Sequence, residues 1–226
     1  MLLLAVKISY SAERFQPVAR LMIQQDTQTS ALHDIRLNTL LRLAKASGVS
    51  KVLDLGCGSG SFLLKLMAEP QFTEVVGLEM SGESLSQARH KLADALAEKP
   101  CRLRLICASY AEPQPTLAGF PLAVMIETIE HVPSGRLSAV EYQVFSVLQP
   151  AQLLLTTPNS EYNELYGLRP GEFRDPDHKF EWNRAKFRQW ALGVAKRHGY
   201  QVQFRGIGEA DVELGPPTQL AMFHKG

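Results

Sequence analysis

Two acidic side chains and a histidine stand within five consecutive positions, Glu127-Thr128-Ile129-Glu130-His131. On a helical turn, Glu127, Glu130 and His131 would share one face. Groups of this kind at close range repel one another or shift their pKa values unless a proton or a cation joins them. Two oxygen ligands and an imidazole suit a divalent ion, Mg²⁺ or Mn²⁺ as well as Fe²⁺, Co²⁺ or Zn²⁺. The alternative is an ordinary helix start, where the helix dipole favours acidic residues.

Another histidine, His178, lies in the segment DHKFEW at 177–182. Taken alone, it has the character of an ordinary loop histidine. The segment TTPN at 156–159, after a predicted strand, would bring this loop over the same edge of the sheet as the acidic cluster. We therefore regard His178 as the candidate fourth metal ligand.

A glycine-rich loop at 56–60, GCGSG, directly follows a short apolar run that contains Asp54. Glycines permit a tight turn and let a ligand approach the backbone, and the N–H groups of a helix that begins near Ser61 point at the same place. Glu79 follows at about the 20-residue distance at which an acid takes ribose hydroxyls. The GxGxG spacing differs from the GxGxxG of dinucleotide-binding folds. The loop indicates a nucleoside-type ligand, and the alternatives are a structural turn or a different nucleotide.

The elements that must position these groups alternate along the chain, which predicts an α/β fold with a doubly wound, mostly parallel, Rossmann-like sheet of seven strands. The predicted strands are 51–55, 74–78, 103–107, 122–126, 152–156, 201–204 and 219–223. The predicted helices are one that ends at Gly48, 62–67, 83–98 with Ser81 as its cap, 136–148, and one between Asn183 and Gly199. The last two strands predict an antiparallel hairpin at the sheet edge. We expect a lead-in helix and loop over 1–30, with residues 1–6 as a loose start or an edge strand, and a catalytic domain over 31–226.

The bulk composition places limits on the partners. The chain has 226 residues, a formal net charge of +1 and 45% hydrophobic residues. Near-neutral charge argues against a protein that coats nucleic-acid duplexes, because such affinity comes from many phosphate contacts. Three cysteines without a CxxC spacing argue against a disulfide scaffold or a cysteine zinc site. The first apolar run is far shorter than the ~18 residues of a membrane span, so we expect a cytoplasmic protein with no membrane partner.

The segment VLDLGCGSG at 52–60 resembles the first motif of class I methyltransferases, which use S-adenosylmethionine. The resemblance implies that Asp54 and the three loop glycines, Gly56, Gly58 and Gly60, face the methionine half of that cofactor. It places Glu79 at the ribose. Three residues after the third strand would lie near the adenine, namely Cys107, Ala108 and Ser109.

Three later segments, ETIEH, TTPNSEYN and DHKFEWNRAKFRQWA, resemble in order and spacing the catalytic domain of the Hen1 family, from about Arg36 to the end of the chain. Those enzymes methylate the 2′-hydroxyl of the 3′-terminal ribose of RNA. The resemblance implies that the metal ligands are Glu127, Glu130, His131 and His178, and that the ion is Mg²⁺ or Mn²⁺. One departure is Glu79, where many relatives have Asp.

The resemblance also assigns a conserved motif after the fifth strand, which matches Thr156, Pro158, Asn159, Glu161 and Asn163. Arg36 matches an arginine before the first strand, with a role in RNA binding or in organising the site. We expect RNA contacts from Arg36, Asn159 and Asn163. The last phosphates could be held by Arg36 together with Arg169, Arg174 and Lys179, and for each of these a solvated basic surface is an equally open interpretation. A stacking role for Trp182 or Tyr162 is as open as simple packing.

Three functions remain open at this point. The first is a metal-dependent RNA 3′-end 2′-O-methyltransferase, whose partner would be an RNA 3′ end, with a further protein supplying RNA specificity. The second is a small-molecule O-methyltransferase in which the metal holds a diol. The third is a catalytically inactive module that binds RNA ends. The complete glycine loop and all four ligand candidates argue against the third.

Overall fold

The computed structural model describes the backbone of residues 16–226 and the side chains from residue 31 onward. Its centre is one seven-stranded sheet with the strand order β3-β2-β1-β4-β5-β7-β6. The strands are β1 (Lys51–Leu55), β2 (Glu74–Glu79), β3 (Leu103–Cys107), β4 (Leu122–Ile126), β5 (Gln152–Pro158), β6 (Tyr200–Ile207) and β7 (Thr218–Lys225). The first five are parallel, and β7 runs antiparallel to both of its neighbours. The doubly wound, mostly parallel sheet predicted from the sequence is confirmed.

Helices flank the sheet. They are α1 (Gln16–Ala46), α2 (Ser61–Met67), α3 (Gly82–Lys91), α4 (Ala93–Ala97), α5 (Leu137–Tyr142) and α6 (Arg184–His198). The central strands are buried along almost their whole length, as expected for parallel strands with helices on both faces. One core cluster holds the C-terminal part of α1 together with α2, α3 and α4, and the other holds α5 and α6. No helix within residues 16–226 is long and apolar enough to cross a membrane.

The point where the chain reverses its direction of progress across the sheet lies between β1 and β4. From β1 the chain steps outward to β2 and β3, and it then returns to place β4 on the other side of β1. At such a switch point the connections leave in opposite directions and open a crevice at the carboxyl ends of the strands. The glycine loop follows β1 and the acidic cluster follows β4, so both predicted sites open into this crevice.

The structure refines several predicted boundaries. The helix predicted for 83–98 is divided at Leu92 into α3 and α4, and Ser81 caps it by accepting a hydrogen bond from the Ser84 N–H. The helix predicted for 136–148 consists of a 3₁₀ turn, α5 and a π-helical turn that ends at Leu148. In the edge hairpin, the reversed strand is β7, which is inserted between β5 and β6.

The N-terminal segment is described only in part. The loose start or edge strand predicted for residues 1–6 lies outside the described residues. Position 30 lies within α1, which continues without interruption to Ala46. The chain divides into two units between residues 34 and 35, and the crevice belongs to the unit from Ile35 to Gly226.

The glycine loop depends on close packing against α3. Gly60 has a φ of +81°, and a Cβ placed on it would lie 2.8 Å from Leu92 Cδ1 and 3.2 Å from Ala88 Cβ. Gly119 has a similar φ of +78° but open space around it. We expect Gly60→Ala to lower the free energy of unfolding by about 2–4 kcal/mol, since left-handed strain and overpacking add. Gly119→Ala, which tests the strain alone, should cost about 1 kcal/mol. Urea unfolding measures both, and equal losses would contradict the packing argument.

Candidate active site

The glycine loop is held in place by backbone contacts to the neighbouring strand. The N–H groups of Gly56 and Cys57 both donate to the carbonyl of Leu78, at 2.8 and 3.0 Å. The Gly58 N–H donates to Glu79 Oε2 at 2.9 Å. Gly58 has a φ of +53°, and a Cβ at this position would meet nothing within 4 Å. The middle of the loop therefore presents bare backbone to open space, as a ligand that contacts the backbone requires.

Asp54 lies beneath this loop with its carboxylate almost completely buried. Neither of its oxygens has a hydrogen-bond partner in the described part of the chain. Burial, helped by the nearby Glu79 charge, raises the pKa of Asp54 to about 8. A buried carboxylate without a partner is costly unless a cation joins it. This arrangement fits the amino group of a methionine-type ligand.

The residues predicted at the ribose and adenine lie at the ends of β2 and β3. In addition to the Gly58 bond to Oε2, the Oε1 atom of Glu79 accepts a hydrogen bond from the Ser81 N–H at 2.7 Å. The Ala108 N–H donates to the Glu79 carbonyl at 3.1 Å, which brings the 107–109 segment beside Glu79. Cys107 is exposed at this edge. The geometry therefore groups the predicted cofactor residues around one crevice.

Tyr110 connects the glycine loop to the acidic cluster, and the sequence analysis did not identify it. Its hydroxyl donates to the Thr128 carbonyl at 3.0 Å. A Cβ on Gly56 would lie 3.3 Å from the Tyr110 ring and 2.6 Å from the Thr128 methyl group. Burial, with smaller contributions from Glu130 and Glu79, raises the pKa of the phenol. Tyr110 is thus neutral and forms part of the wall between the two parts of the crevice.

Three of the four predicted metal ligands come together after β4. One ligand atom from each of Glu130, His131 and His178 lies within 4.8 Å of the other two. The two imidazole rings meet edge to face with their centroids 4.8 Å apart. The Lys179 N–H donates to the Glu130 carbonyl at 2.7 Å, which holds the 177–182 loop over the cluster. An oxygen and two nitrogens in this arrangement are a suitable donor set for a divalent ion.

Each histidine in the cluster has a carboxylate behind it. His131 Nδ1 is 3.2 Å from Asp177 Oδ2, and His178 Nδ1 is 2.5 Å from Glu181 Oε1. Carboxylates commonly hold metal-ligating histidines in this way and leave the other ring nitrogen for the metal. Burial would raise the pKa of Glu181, but hydrogen bonds from His178 and Asn163 outweigh it and the net shift is downward. The acids at positions 177 and 181 were visible in the sequence, but nothing in their spacing assigned them to the two rings.

Glu130 is the buried carboxylate of the cluster. Its side chain is fully buried. Oε2 accepts a hydrogen bond from the Thr157 hydroxyl at 3.0 Å, and Oε1 has no partner among the described residues. Burial and the neighbouring Glu127 charge raise its pKa well above the ordinary value. The protein thus buries a carboxylate that a cation would stabilise.

Glu127 is not grouped with the other three ligand candidates. It has a φ of +51°, before the 3₁₀ turn Ile129–His131, so the expected single helical face does not form. Its carboxylate instead forms an ion pair with Arg36 at 3.0 Å. Arg36 is buried and also donates to the Thr218 hydroxyl at 3.1 Å. Of the two roles predicted for Arg36, the geometry supports organisation of the site.

The interpretation of Asn159 and Asn163 as RNA contacts needs correction. Both side chains are buried. The Asn159 amide donates to the carbonyls of Leu214 and Pro216, and Asn163 donates to Glu181 Oε2 at 2.6 Å. Because the amide groups of both residues are already hydrogen-bonded inside the protein, these residues support the loops around the crevice.

The other residues of the motif after the fifth strand have structural roles as well. Thr156 Oγ1 accepts a hydrogen bond from the Glu127 N–H at 3.1 Å, and Pro158 ends β5. Glu161 accepts from Arg184 at 2.7 Å. The motif therefore connects β5 to the loop that carries His178 and to the start of α6.

Three of the residues suggested for RNA binding have other contacts. The Arg174 guanidinium is largely buried and donates to Asn163 Oδ1 and to the carbonyls of Pro217 and Asn159. Trp182 is buried and stacks on Phe180. Neither is available to RNA, since a phosphate or a base would have to displace these contacts. Lys179 is exposed and pairs with Asp177 at 2.8 Å.

Comparison with known proteins agrees with this geometry. The sequence family described as a methyltransferase domain matches residues 52–151. The methyltransferase domain of the bacterial protein CtHen1 is 36% identical, with a TM-score of 0.79 over 86% of this chain and 99% of that domain. Fold and family match place the chain in the class I methyltransferase fold. Within that class, the chain belongs to the Hen1 family.

Two further relatives show how much of the family this chain represents. The small RNA 2′-O-methyltransferase of Mus musculus is 39% identical over 77% of this chain and 46% of its own length. A crystal structure described as small RNA methyltransferase HEN1 has a TM-score of 0.79 at 33% identity, over 86% of this chain and 26% of that one. The chain thus spans about half the length of the mouse relative, or less for the larger protein.

The buried Asp54 carboxylate predicts an opposition between stability and cofactor binding. The unfolded chain loses the Asp54 proton near pH 3.8 and the folded protein near pH 8, so this group lowers the free energy of unfolding as the pH rises between those values. We expect Asp54→Asn to raise the free energy of unfolding at pH 8 by roughly 1–3 kcal/mol and to abolish S-adenosylmethionine binding.

Urea unfolding at pH 6 and pH 8, with calorimetric titration of S-adenosylmethionine, measures both effects. Asp94→Asn, an exposed position on α4, is the matched control and should change neither. An unchanged pH dependence in Asp54→Asn would contradict the argument.

Proposed function

We propose that this protein transfers a methyl group from S-adenosylmethionine to the 2′-hydroxyl of the 3′-terminal nucleotide of an RNA, in a reaction that requires a divalent metal ion. The observation that carries this proposal is the convergence of Glu130, His131 and His178 within 4.8 Å in the crevice that the glycine loop lines. The relatives named small RNA 2′-O-methyltransferase support RNA as the substrate. A partner protein that supplies RNA specificity remains a prediction.

The ligand set that we propose contains Glu127, Glu130, His131 and His178, with Mg²⁺ or Mn²⁺ as the ion. Oxygen and imidazole donors suit Mn²⁺ well and tolerate Mg²⁺. The Glu130 Oε1 atom supports the fit, because it is buried and has no hydrogen-bond partner in the part of the chain that the structure describes. Glu127 would have to move from Arg36 to become the fourth ligand. These four side chains make up the catalytic set that we propose.

The chemistry requires two tasks beyond binding, namely alignment of the acceptor oxygen and removal of its proton. When bound, a divalent ion orients vicinal hydroxyls and lowers their pKa, and S-adenosylmethionine supplies an activated methyl group. His131 and His178 are the candidate proton acceptors, but a ring nitrogen that holds a metal cannot also take a proton. Nδ1 of each ring lies against a carboxylate. A metal bound at Nε2 would therefore leave neither ring a free nitrogen to accept the proton.

The cofactor residues that we propose are those of the crevice. Asp54 would pair with the ligand's ammonium group and Gly58 would let it approach the backbone, with Gly56 and Gly60 shaping the turn. Glu79 keeps lone pairs for ribose hydroxyls, since each of its oxygens accepts one N–H. At the adenine end the residues are Cys107, Ala108 and Ser109.

Recognition of an RNA end through two hydroxyls fits the small positive charge of the chain. An internal nucleotide has no free 3′-hydroxyl, and DNA has no 2′-hydroxyl. A terminal ribose can thus be selected without an extended basic surface. Of the basic residues predicted to hold phosphates, Lys179 and Arg169 remain candidates because both are exposed.

Methyl transfer to short single-stranded RNA tests the proposal directly. With tritiated S-adenosylmethionine and Mn²⁺ or Mg²⁺, we expect label in RNA that has a free 3′-terminal ribose. EDTA should abolish the label, because it would remove the ion that orients the hydroxyl groups and lowers their pKa.

Two control substrates separate the hydroxyl groups: the same RNA with a 3′-terminal 2′-deoxyribose and the same RNA with a 3′-phosphate. Neither should accept label. Label in the 3′-phosphate RNA would contradict recognition through both hydroxyls. Absence of label from every RNA, with small diols labelled instead, would favour the small-molecule reaction.

Glu130→Gln should separate catalysis from folding. Loss of the buried carboxylate removes an anionic ligand, and we expect methyl transfer to fall at least 100-fold. The free energy of unfolding of the metal-free protein should stay the same or rise, because a buried group with a raised pKa no longer has to ionise. Glu112→Gln, at an exposed position, serves as the matched control. Activity and stability falling together would point to a structural role for Glu130.

A further inference from the structure

The carboxylate behind His178 is unusually enclosed for a side chain that touches no substrate. The Glu181 side chain has no exposed surface. Its Oε1 lies 2.5 Å from His178 Nδ1 and accepts from the backbone N–H of Arg174 at 2.8 Å. Its Oε2 accepts from Asn163 Nδ2 at 2.6 Å. Both oxygens are thus fixed by donors, and the carboxylate has one orientation toward the imidazole.

A further layer of hydrogen bonds fixes the donors themselves. Arg174 Nε donates to Asn163 Oδ1 at 2.6 Å, which leaves the Asn163 amide with its NH₂ group toward Glu181. Arg174 also donates to the carbonyl of Pro217 at 2.8 Å, next to the start of β7. A continuous buried chain of hydrogen bonds therefore runs from β7 through Arg174, Asn163 and Glu181 to His178.

The other histidine of the cluster has a much weaker support. Asp177, the carboxylate behind His131, is 69% exposed and is shared with the Lys179 ammonium group. The Asp177–His131 distance is 3.2 Å, against 2.5 Å for Glu181–His178. Exposed ion pairs of this kind contribute little, because water competes for both partners.

We propose that Glu181 is a positioning residue for the metal site, and that it holds His178 with its proton on Nδ1 so that Nε2 is the ligand nitrogen. This inference rests on the proposed function, since it assumes that His178 binds a metal. A neutral imidazole carries its proton on one nitrogen and offers only the other as a ligand. Asn163 and Arg174 influence His178 only through their hydrogen bonds to Glu181 and to each other.

Glu181→Gln tests the orientation of the hydrogen bonds without a change of shape. If the new amide turns its oxygen toward His178, its NH₂ group faces the Asn163 NH₂ group. If the amide turns its NH₂ group toward His178 instead, that NH₂ group faces the backbone N–H of Arg174. Either orientation opposes two donors, so we expect both His178 tautomers in ¹⁵N NMR spectra of the metal-free variant. We expect the Mn²⁺ dissociation constant, measured by EPR of free Mn²⁺, to rise 10- to 100-fold.

A second change restores the pattern. In the double variant Glu181→Gln with Asn163→Asp, the new carboxylate at 163 accepts from the Gln amide and from Arg174 Nε. The Gln oxygen then returns to His178 and the Arg174 N–H, and the net charge equals that of the wild type. Only the long 3.4 Å bond from Asn163 to the Glu172 carbonyl is lost. We expect the Nδ1–H tautomer to return and the Mn²⁺ dissociation constant to recover to within about threefold.

Two results would overturn the proposed role of Glu181. One is Glu181→Gln with the wild-type tautomer and Mn²⁺ affinity, whatever its thermal stability. Another is a double variant that regains stability and tautomer but not Mn²⁺ affinity. Asp177→Asn is the matched control on the exposed side and should change the Mn²⁺ dissociation constant less than about threefold.

Failure of the proposed function is distinguishable from failure of this inference. If the wild type binds neither Mn²⁺ nor Mg²⁺, the proposed metal-dependent reaction is contradicted. The tautomer of His178 in the metal-free protein still reports whether Glu181 holds the ring. A single Nδ1–H tautomer in the wild type and the double variant, with a mixture in Glu181→Gln, supports the positioning role, and the same tautomer in all three overturns it.

Discussion

Two buried carboxylates at neighbouring strand ends impose the main constraint on this structure. Asp54 at β1 and Glu130 after β4 are almost inaccessible to water, and each has an oxygen without a partner in the described part of the chain. Burial raises the pKa of both groups. An uncompensated buried charge disfavours folding, so each of these carboxylates lowers stability unless a cation joins it. The open glycine loop and the two histidines line the same crevice.

The polar residues around this crevice divide into those that face the crevice and those that hold the first group in place. Asn159, Asn163 and Arg174 belong to the second group, since their hydrogen bonds are made inside the protein. Their bonds connect the end of β5, the start of β7 and the 177–182 loop. Buried polar networks of this kind specify a single arrangement when every member is satisfied. The loop that carries His178 therefore has a defined place despite its lack of regular secondary structure.

The ion pair between Arg36 and Glu127 joins the C-terminal half of α1 to the same site. Glu127 adopts a left-handed backbone conformation that is uncommon for a residue with a side chain. Such strain persists only where the surroundings determine the conformation, and here Arg36 and the Thr156 side chain supply the contacts. Glu127 forms a direct ion pair with Arg36, whereas Glu130 Oε1 has no hydrogen-bond partner among the described residues. The two acids, three residues apart, thus have different partners and different electrostatic environments.

The sequence by itself determined the type of sheet and the family. The strands from β1 to β4 are short apolar runs bounded by turn residues, and their alternation with helices predicts a doubly wound sheet. The glycine loop, Glu130, His131 and His178 were recognisable because their chemistry and spacing are local or match a family motif. Only the tertiary structure decided which groups face the crevice. It turned Glu127 toward Arg36, buried Asn159 and Asn163, and placed Asp177 and Glu181 behind the histidines. Such pairings join residues on separate loops, and their side-chain directions depend on packing that no local pattern records.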